Sequence, residues 1–322
     1  MTRIIVALLW IFIGTLYAQS QTYPAHTVRV IVPSTVGTAI DIAARLTFDK
    51  VSQLLGVPFI IENKLGSFGE IGVIDLMRSP ADGYTIICAP DGPLATAPAS
   101  YLGEGTKTGP YDPTQLTPVM RIFETYFVLV VRKDLPVETA GELLAYGRNH
   151  PGLLTFFSGN PSGTLGIGLL NNKGAQIVES RSFAGGEPQG HREILGGIAH
   201  GMFSTSFTAK SAVEYEKNLG SMGPTRSPFL PEVKTLDEQG FPEFRELRTW
   251  IAVFAPPGTP QEIVQKLNRA VTEALRESDV RQRAEVMGLF VSPSTPEELG
   301  VLVKKQLKTL TAIIRETGVK LK

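Results

Sequence analysis

A chain of 322 residues, 43% hydrophobic and 19% charged, is too long for one ordinary core and suits two domains of a well-folded globular protein. Its 31 basic and 31 acidic residues balance, so composition supports neither a nucleic-acid groove nor a basic membrane-binding face. The single cysteine, Cys88, excludes a disulfide within the chain.

Residues 1–20 have the three parts of an export signal: Arg3, an apolar run over 4–16, and the small-residue stretch Ala18-Gln19-Ser20. The thirteen apolar residues fall short of the ~20 that a membrane-spanning helix needs. Cleavage after Ser20 or Ala18 would leave a soluble protein in the periplasm. It would remove only Arg3 among the charged residues, for a net charge of −1.

Val28, Val30 and Val32 alternate on one face of a strand, a turn of small and hydroxylated residues follows, and the spacing then predicts a helix over 39–55. A strand-turn-helix of this kind points unpaired backbone N–H groups, at the positive end of a helix dipole, into the space above the sheet edge. The turn holds no Lys, Arg, His or Cys, which suits holding a small anion rather than reacting with it. Its candidate ligand-binding residues are Ser34, Gly37, Thr38, Ala39 and Asp41. Two roles are open for Thr38, a hydroxyl offered to ligand or the start of the helix. Asp41, in the first helical turn, suits capping better than contact with an anion that it would repel.

Strands are expected at 59–63, at 84–89 with Cys88 as a small core thiol, and at 127–131, where the run is almost continuously apolar. A helix over 138–148 and a strand over 153–157 lead into a second glycine-bearing turn. It contains Ser158, Gly159, Asn160, Ser162, Gly163 and Thr164, and it opens a helix ending near 173. Extended residues 176–183, a helix over 187–195 and a strand at 201–203 precede a third hydroxyl-rich turn with Ser204 and Thr205. A strand over 250–255, a helix over 261–277 that begins beside Pro260, and a helix over 296–316 close the chain. The alternation predicts an α/β fold with layers around mainly parallel sheets. Crossings near 126–131 and 247–250 divide it into a first lobe, 24–127 with a return segment 250–322, and a second lobe, 128–249.

Catalytic chemistry finds little purchase. None of His26, His150, His191 and His200 has another His or a Cys at metal-ligand spacing, and His150 and His191 are expected in turn or surface positions. No Gly-x-Ser-x-Gly elbow surrounds Ser162, so a serine hydrolase built on it would need a histidine and a carboxylate supplied by the fold. The glycines of 66–72 fall at i, i+3 and i+6, which is not the dinucleotide fingerprint. No catalytic residue, metal or cofactor is expected.

Several short motifs then coincide in order and spacing: Tyr23-Pro24, Val30-Ile31-Val32-Pro33 before Gly37, Ile61-Glu62-Asn63-Lys64, and Ala81-Asp82-Gly83-Tyr84-Thr85. They continue with Tyr111-Asp112-Pro113, Leu135-Pro136-Val137, His150-Pro151-Gly152-Leu153, Gly185-Gly186 and Leu195-Gly196-Gly197. Arg226-Ser227-Pro228, Phe254-Ala255-Pro256-Pro257-Gly258-Thr259-Pro260 and Thr295-Pro296-Glu297-Glu298 complete the series. Over nearly the whole mature length the chain resembles the substrate-binding proteins of tripartite tricarboxylate transporters, the Bug/TctC-like family. The resemblance implies a two-lobed periplasmic binding protein, type II-like, with its ligand cleft between lobes. It implies a solute-binding role without catalysis, in which a small organic acid is captured and passed to membrane permease subunits or to a sensor kinase, the receptor itself being a monomer. It maps the ligand carboxylate between the loops 34–41 and 158–165, with a third contact region at 204–206. The chain departs from the family pattern at Thr38, where a second glycine is usual, and at Ser204-Thr205, where an Asp-Asn pair is usual. An aromatic-glycine motif stands at 183–186.

Overall fold

A computed structural model of the chain describes residues 23–106, 109–182 and 186–321. The export signal expected in 1–20 and most of the aromatic-glycine motif at 183–186 lie outside the described residues. β1 (Val28–Val32) leads to α1 (Ala39–Leu55), which starts at the Thr38 cap and stops at Gly56, whose φ of 68° is free of Cβ strain. β2 (Phe59–Asn63), α2 (Glu70–Arg78) and β3 (Thr85–Pro90) follow, and one wide π-type turn, Gly92–Thr96, opens α3 (Ala97–Gly103). β4 (Thr117–Thr125) and β5 (Phe127–Arg132) are separated by Tyr126 alone. Next come α4 (Ala140–Asn149), β6 (Thr155–Ser158), α5 (Pro161–Asn172), β7 (Val178–Arg181) and α6 (Gly186–Leu195). β8 (Gly201–Thr205), α7 (Ser206–Ser211) and β9 (Glu216–Ser221) complete this part. The chain returns through 222–248 to β10 (Thr249–Ala255), then α8 (Gln261–Arg276), α9 (Ser278–Val286), β11 (Phe290–Val291) and α10 (Pro296–Thr317).

The strands form two sheets, in the orders β11-β4-β10-β3-β1-β2 and β7-β6-β8-β5-β9. The expectation of mainly parallel sheets is corrected: both are mixed. β1 pairs in parallel with β2 and β3, but β10 is antiparallel to both β3 and β4. In the second sheet β6 is parallel to β7 and β8, while β5 is antiparallel to β8 and β9. The cause is the abrupt crossing. A strand that enters one sheet as its predecessor leaves the other must run away from the shared edge, against the strands that run toward it.

This register positions the loops. The start of β10 (Thr249) lies opposite the end of β4 (Thr125), and the start of β5 (Phe127) lies opposite the end of β8 (Thr205). β1 and β3 run with β4, and β6 runs with β8. The turns after β1, β3, β6 and β8 therefore all open at the edges where the chain crosses between the sheets.

Period-two alternation divides the core. Val28, Val30 and Val32 pack with Ala43, Phe48 and Val51 of α1 and with Val264, Leu267 and Val271 of α8, and Cys88 lies buried in the same layer. Burial pushes the Cys88 thiol up, so it stays protonated. Ile31, Ile87 and Phe254 face the opposite layer, a single apolar cluster that also holds Leu129, Phe156, Leu165 and Phe203 of the second sheet and its helices. α10, held at its start by a reciprocal capping box between Thr295 and Glu298, supplies Leu302, Leu307, Leu310 and Ile314 to that cluster.

α10 also fixes the return crossing. Trp250 is fully buried, and its indole Nε1–H donates to Gln306 Oε1 at 2.6 Å, while Gln306 Nε2 donates to Arg248 O at 2.7 Å. Replacing Gln306 by leucine keeps the volume but orphans both groups, so Gln306→Leu should lower unfolding free energy by about 1–3 kcal/mol in urea titrations. A loss under about 0.5 kcal/mol would show that this contact does not secure the crossing.

Candidate functional site

In the first loop the chain engages many of its own donors. The Thr38 hydroxyl caps α1, accepting from the Asp41 N–H at 3.4 Å and donating to Thr35 O at 2.9 Å, with Ser34 Oγ at 2.6 Å. Of the two roles open for Thr38, the structure shows the cap. Asp41 is 1% exposed and accepts from the Gly37 N–H at 2.9 Å, from Asn63 Nδ2 at 2.8 Å and from both Arg45 Nε and Nη2. Burial alone would raise its pKa, but Arg45, the Gly37 amide and Asn63 outweigh it and hold the carboxyl below the usual range. Asn63 Nδ2 also donates to Ser34 O at 2.9 Å, tying the turn to β2. Gly37 sits at φ 85° with open space where a Cβ would be, so backbone conformation rather than crowding calls for glycine there. The first N–H groups of α1, Ala39 and Ile40, have no intrahelical acceptor.

The second loop is built the same way. Asn160 caps α5, its Oδ1 accepting from the Gly163 N–H at 2.8 Å. The buried Ser158 hydroxyl lies 2.7 Å from Thr164 Oγ1, which donates to Glu179 Oε1 at 2.8 Å. A Cβ on Gly159 would come within 2.8 Å of the Gly186 carbonyl carbon, so glycine there permits a close backbone approach. The Ser158, Asn160 and Thr164 side chains thus hold the loop in shape. Pro161 at the first helical position has no N–H, which leaves the Ser162 amide as the outward donor, beside a half-buried hydroxyl 3.4 Å from Thr249 Oγ1.

The third turn contains groups that the sequence did not reveal. Glu187, in the first turn of α6, accepts from the Thr205 N–H at 2.6 Å, from Thr205 Oγ1 at 3.1 Å and from the Ser204 hydroxyl. His191, one turn further on, donates from Nε2 to Ser204 Oγ at 3.0 Å and from Nδ1 to Glu216 Oε1 at 2.7 Å. The expectation of a turn or surface position for His191 is corrected: it lies inside α6, with its side chain 13% exposed. The usable signal was the i, i+4 spacing of Glu187 and His191 on one helix.

Serine, histidine and carboxylate here have the connectivity of a catalytic triad, but the protons are in the wrong places. Burial would lower the His191 pKa, yet Glu187 and Glu216 outweigh it and push it up to about 9, so the ring is cationic at neutral pH. Ser204 is fully buried and gives its proton to Glu187. A protonated imidazole cannot take a proton from serine. Ser162, the nucleophile required by a hydrolase, has Thr249 as its hydroxyl neighbour and no histidine bonded to it among the described residues.

One cavity borders both loops through residues beside or within them. Pro33, which precedes Ser34, and Pro161, which opens α5, both line a space of about 290 Å³ whose other walls include Phe68, Pro93, Ala97 and Leu321. A larger hollow of about 470 Å³ lies between α5, β7 and the C-terminal segment and contains none of the loop residues singled out above. Among the described residues no group of His, Cys, Asp and Glu is placed to hold a metal ion, and no helix is long and apolar enough to cross a membrane.

The model of the tripartite tricarboxylate transporter family receptor matches residues 43–319. The chain belongs to this family. As a family receptor it is 28% identical to protein BugT of Bordetella pertussis, over 100% of this chain and 99% of the relative. Among solved structures it is similar to an adipate-bound protein of R. palustris, at 28% identity and a TM-score of 0.73, covering 92% of this chain and 99% of the other. It is also similar to malate-bound MatC from Rhodopseudomonas palustris, at 28% identity and a TM-score of 0.69, covering 91% and 100%. These likenesses agree with the two mixed α/β sheets described above.

The receptor's His191 network has a pH signature. A histidine with its pKa raised on folding contributes stability that is fully present below the unfolded value of ~6.5 and is lost as pH rises through about 9. The stability difference between wild type and His191→Gln, measured by thermal melts, should therefore shrink between pH 6.5 and 9.5. A difference that stays constant over that range would contradict the assignment.

Proposed function

We propose that this family receptor is an exported protein that captures a small carboxylate between two lobes and delivers it to the membrane subunits of a tripartite transporter. Residues 24–127 with 250–322 would form one lobe and 128–249 the other, hinged where Tyr126 and the 247–250 segment cross. The observation that carries this reading is the cavity lined both by Pro33, which immediately precedes the first loop, and by Pro161, which opens α5 in the second. The similarity to structures holding adipate and malate supports a carboxylate as the ligand class.

Two helix dipoles and the amides of Ala39, Ile40 and Ser162 would hold the ligand carboxylate, with the Ser162 hydroxyl as a further donor. Hydrogen bonds to a charged group contribute about 1.5–3 kcal/mol each, enough for two or three made only on closure to shift an opening equilibrium.

Ala39→Pro tests the backbone role directly. Proline is compatible with the first helical position, and Thr38, at φ −72° and ψ 160°, already has the conformation that a residue before proline requires. The helix should stay intact while one donor disappears. Calorimetric titration with the tightest acid of a mono-, di- and tricarboxylate panel should show affinity falling on the order of ten- to a hundredfold with the melting temperature held. Unchanged affinity would remove the α1 amides from the site.

A further inference from the structure

We propose that Leu321 sets the length of the acid that the site accepts, and that residues 318–321 form a strap that holds this side chain in place. The inference rests on the carboxylate reading above and adds to it a residue that controls ligand size.

Gly318, at φ 66°, ends α10, and the chain then runs on as Gly318-Val319-Lys320-Leu321. Gly318 and Lys320 are exposed, Val319 is half-buried and Leu321 is 4% exposed, the period-two pattern of a segment with one face against the protein. Val319 packs on α5 at Gly168, where a Cβ would come within 2.4 Å of Val319 Cγ2, so glycine lets the segment lie this close to the helix. At the next residue, Arg181 of β7 donates from Nη1 to Lys320 O at 2.7 Å. That guanidinium is braced by Glu179, which accepts from its Nε at 3.1 Å and from its Nη2 at 2.7 Å. Glu179 Oε1 also accepts from Thr164 Oγ1 at 2.8 Å, and Ser158 Oγ lies 2.7 Å beyond. One run of hydrogen bonds thus joins the backbone of the strap to the second loop.

Leu321 carries the strap to the cavity. Its side chain belongs to the apolar cluster common to both layers and forms a wall of the cavity of about 290 Å³, with Pro33, Pro93, Ala97 and Pro161. Pro161 adjoins Ser162, whose amide and hydroxyl are the second-loop donors proposed above, so an acid held there has its carbon chain beside these walls. A wall fixed through the main chain before it and set in a close-packed cluster resists a longer chain, because making room breaks contacts. Each methylene that fits gains about fourfold in affinity by leaving water, and the first that does not fit ends that gain.

Two homologous series read the limit by calorimetric titration: the alkanoates from acetate to decanoate and the dicarboxylates from malonate to sebacate. With wild type, affinity in the better-bound series should rise by about fourfold per methylene to a limiting length and then fall. Leu321→Ala, which cuts the side chain back to a methyl, should move that limit about two to three carbons longer and strengthen acids just past the wild-type limit about tenfold. Leu321→Phe should move the limit shorter. Opposite shifts separate a wall from a residue that only supports the fold, whose replacement would weaken every acid alike. Thermal melts confirm that each variant is folded. No limit in wild type, or a limit at the same length in wild type and both variants, overturns this inference and leaves the carboxylate reading standing. Silence from both series overturns the carboxylate reading itself, and this inference with it.

Discussion

A backbone N–H at a helix start or a strand end must find an acceptor, and which acceptor it finds decides what this protein can hold. In each of the three turns at the crossing edge the chain fills part of that demand itself. Asp41 takes the Gly37 amide, Asn160 takes the Gly163 amide, and Glu187 takes the Thr205 amide. The remainder is small and directional: the first amides of α1 and the Ser162 amide of α5. An anion site here is therefore defined by what the protein leaves unfilled. Two of these acceptors also tie their turns to a neighbouring element, Asp41 through Asn63 of β2 and Glu187 through Thr205 of β8.

The fold brings these remainders together through one constraint, the abrupt crossing at Tyr126. With no linker, β4 and β5 must end and begin at a common edge, and their neighbours are forced into mixed sheets whose hydroxyl-bearing turns share that edge. α10 then spans the apolar cluster common to both layers, and its Gln306 secures the returning strand through Trp250 and Arg248. Polar contacts extend this bracing: Asn172 Nδ2 donates to Glu316 Oε1 at 2.6 Å, and Arg181 Nη1 donates to Lys320 O at 2.7 Å. Relative motion of the two layers would have to work against these contacts as well as with any ligand.

Elements with local signatures were legible in the sequence. α1 shows its cap, its apolar stripe and its terminal glycine between Thr38 and Gly56, and its bounds agree with the structure. Cys88 in a buried strand and the two loop-helix turns were legible for the same reason. β4 was not, because Pro118 and Arg121 interrupt its pattern and it is specified by pairing with β10, more than a hundred residues away. The mixed direction of the sheets was hidden for that reason too, since strand polarity depends on partners rather than on composition. Within the site, sequence identified hydroxyl-rich turns but not where their protons go. Ser158 and Thr164 read as ligand donors and Thr38 as either a donor or the start of the helix, whereas Thr164 donates to Glu179 and Thr38 to Thr35. Glu187 and His191 were passed over because their role comes from Ser204, Thr205 and Glu216, on strands that only the fold places beside α6.

The central claim is that a carboxylate is held by main-chain amides at the starts of α1 and α5. Backbone amide NMR of the ¹⁵N-labelled mature protein, with hexanoate added stepwise, tests it most directly. Downfield shifts and slowed solvent exchange centred on the Ala39, Ile40 and Ser162 amides, with the Thr205 amide unmoved beside Glu187, are the result expected from this account. Saturable shifts confined to other surfaces, with those three amides unchanged, would contradict it.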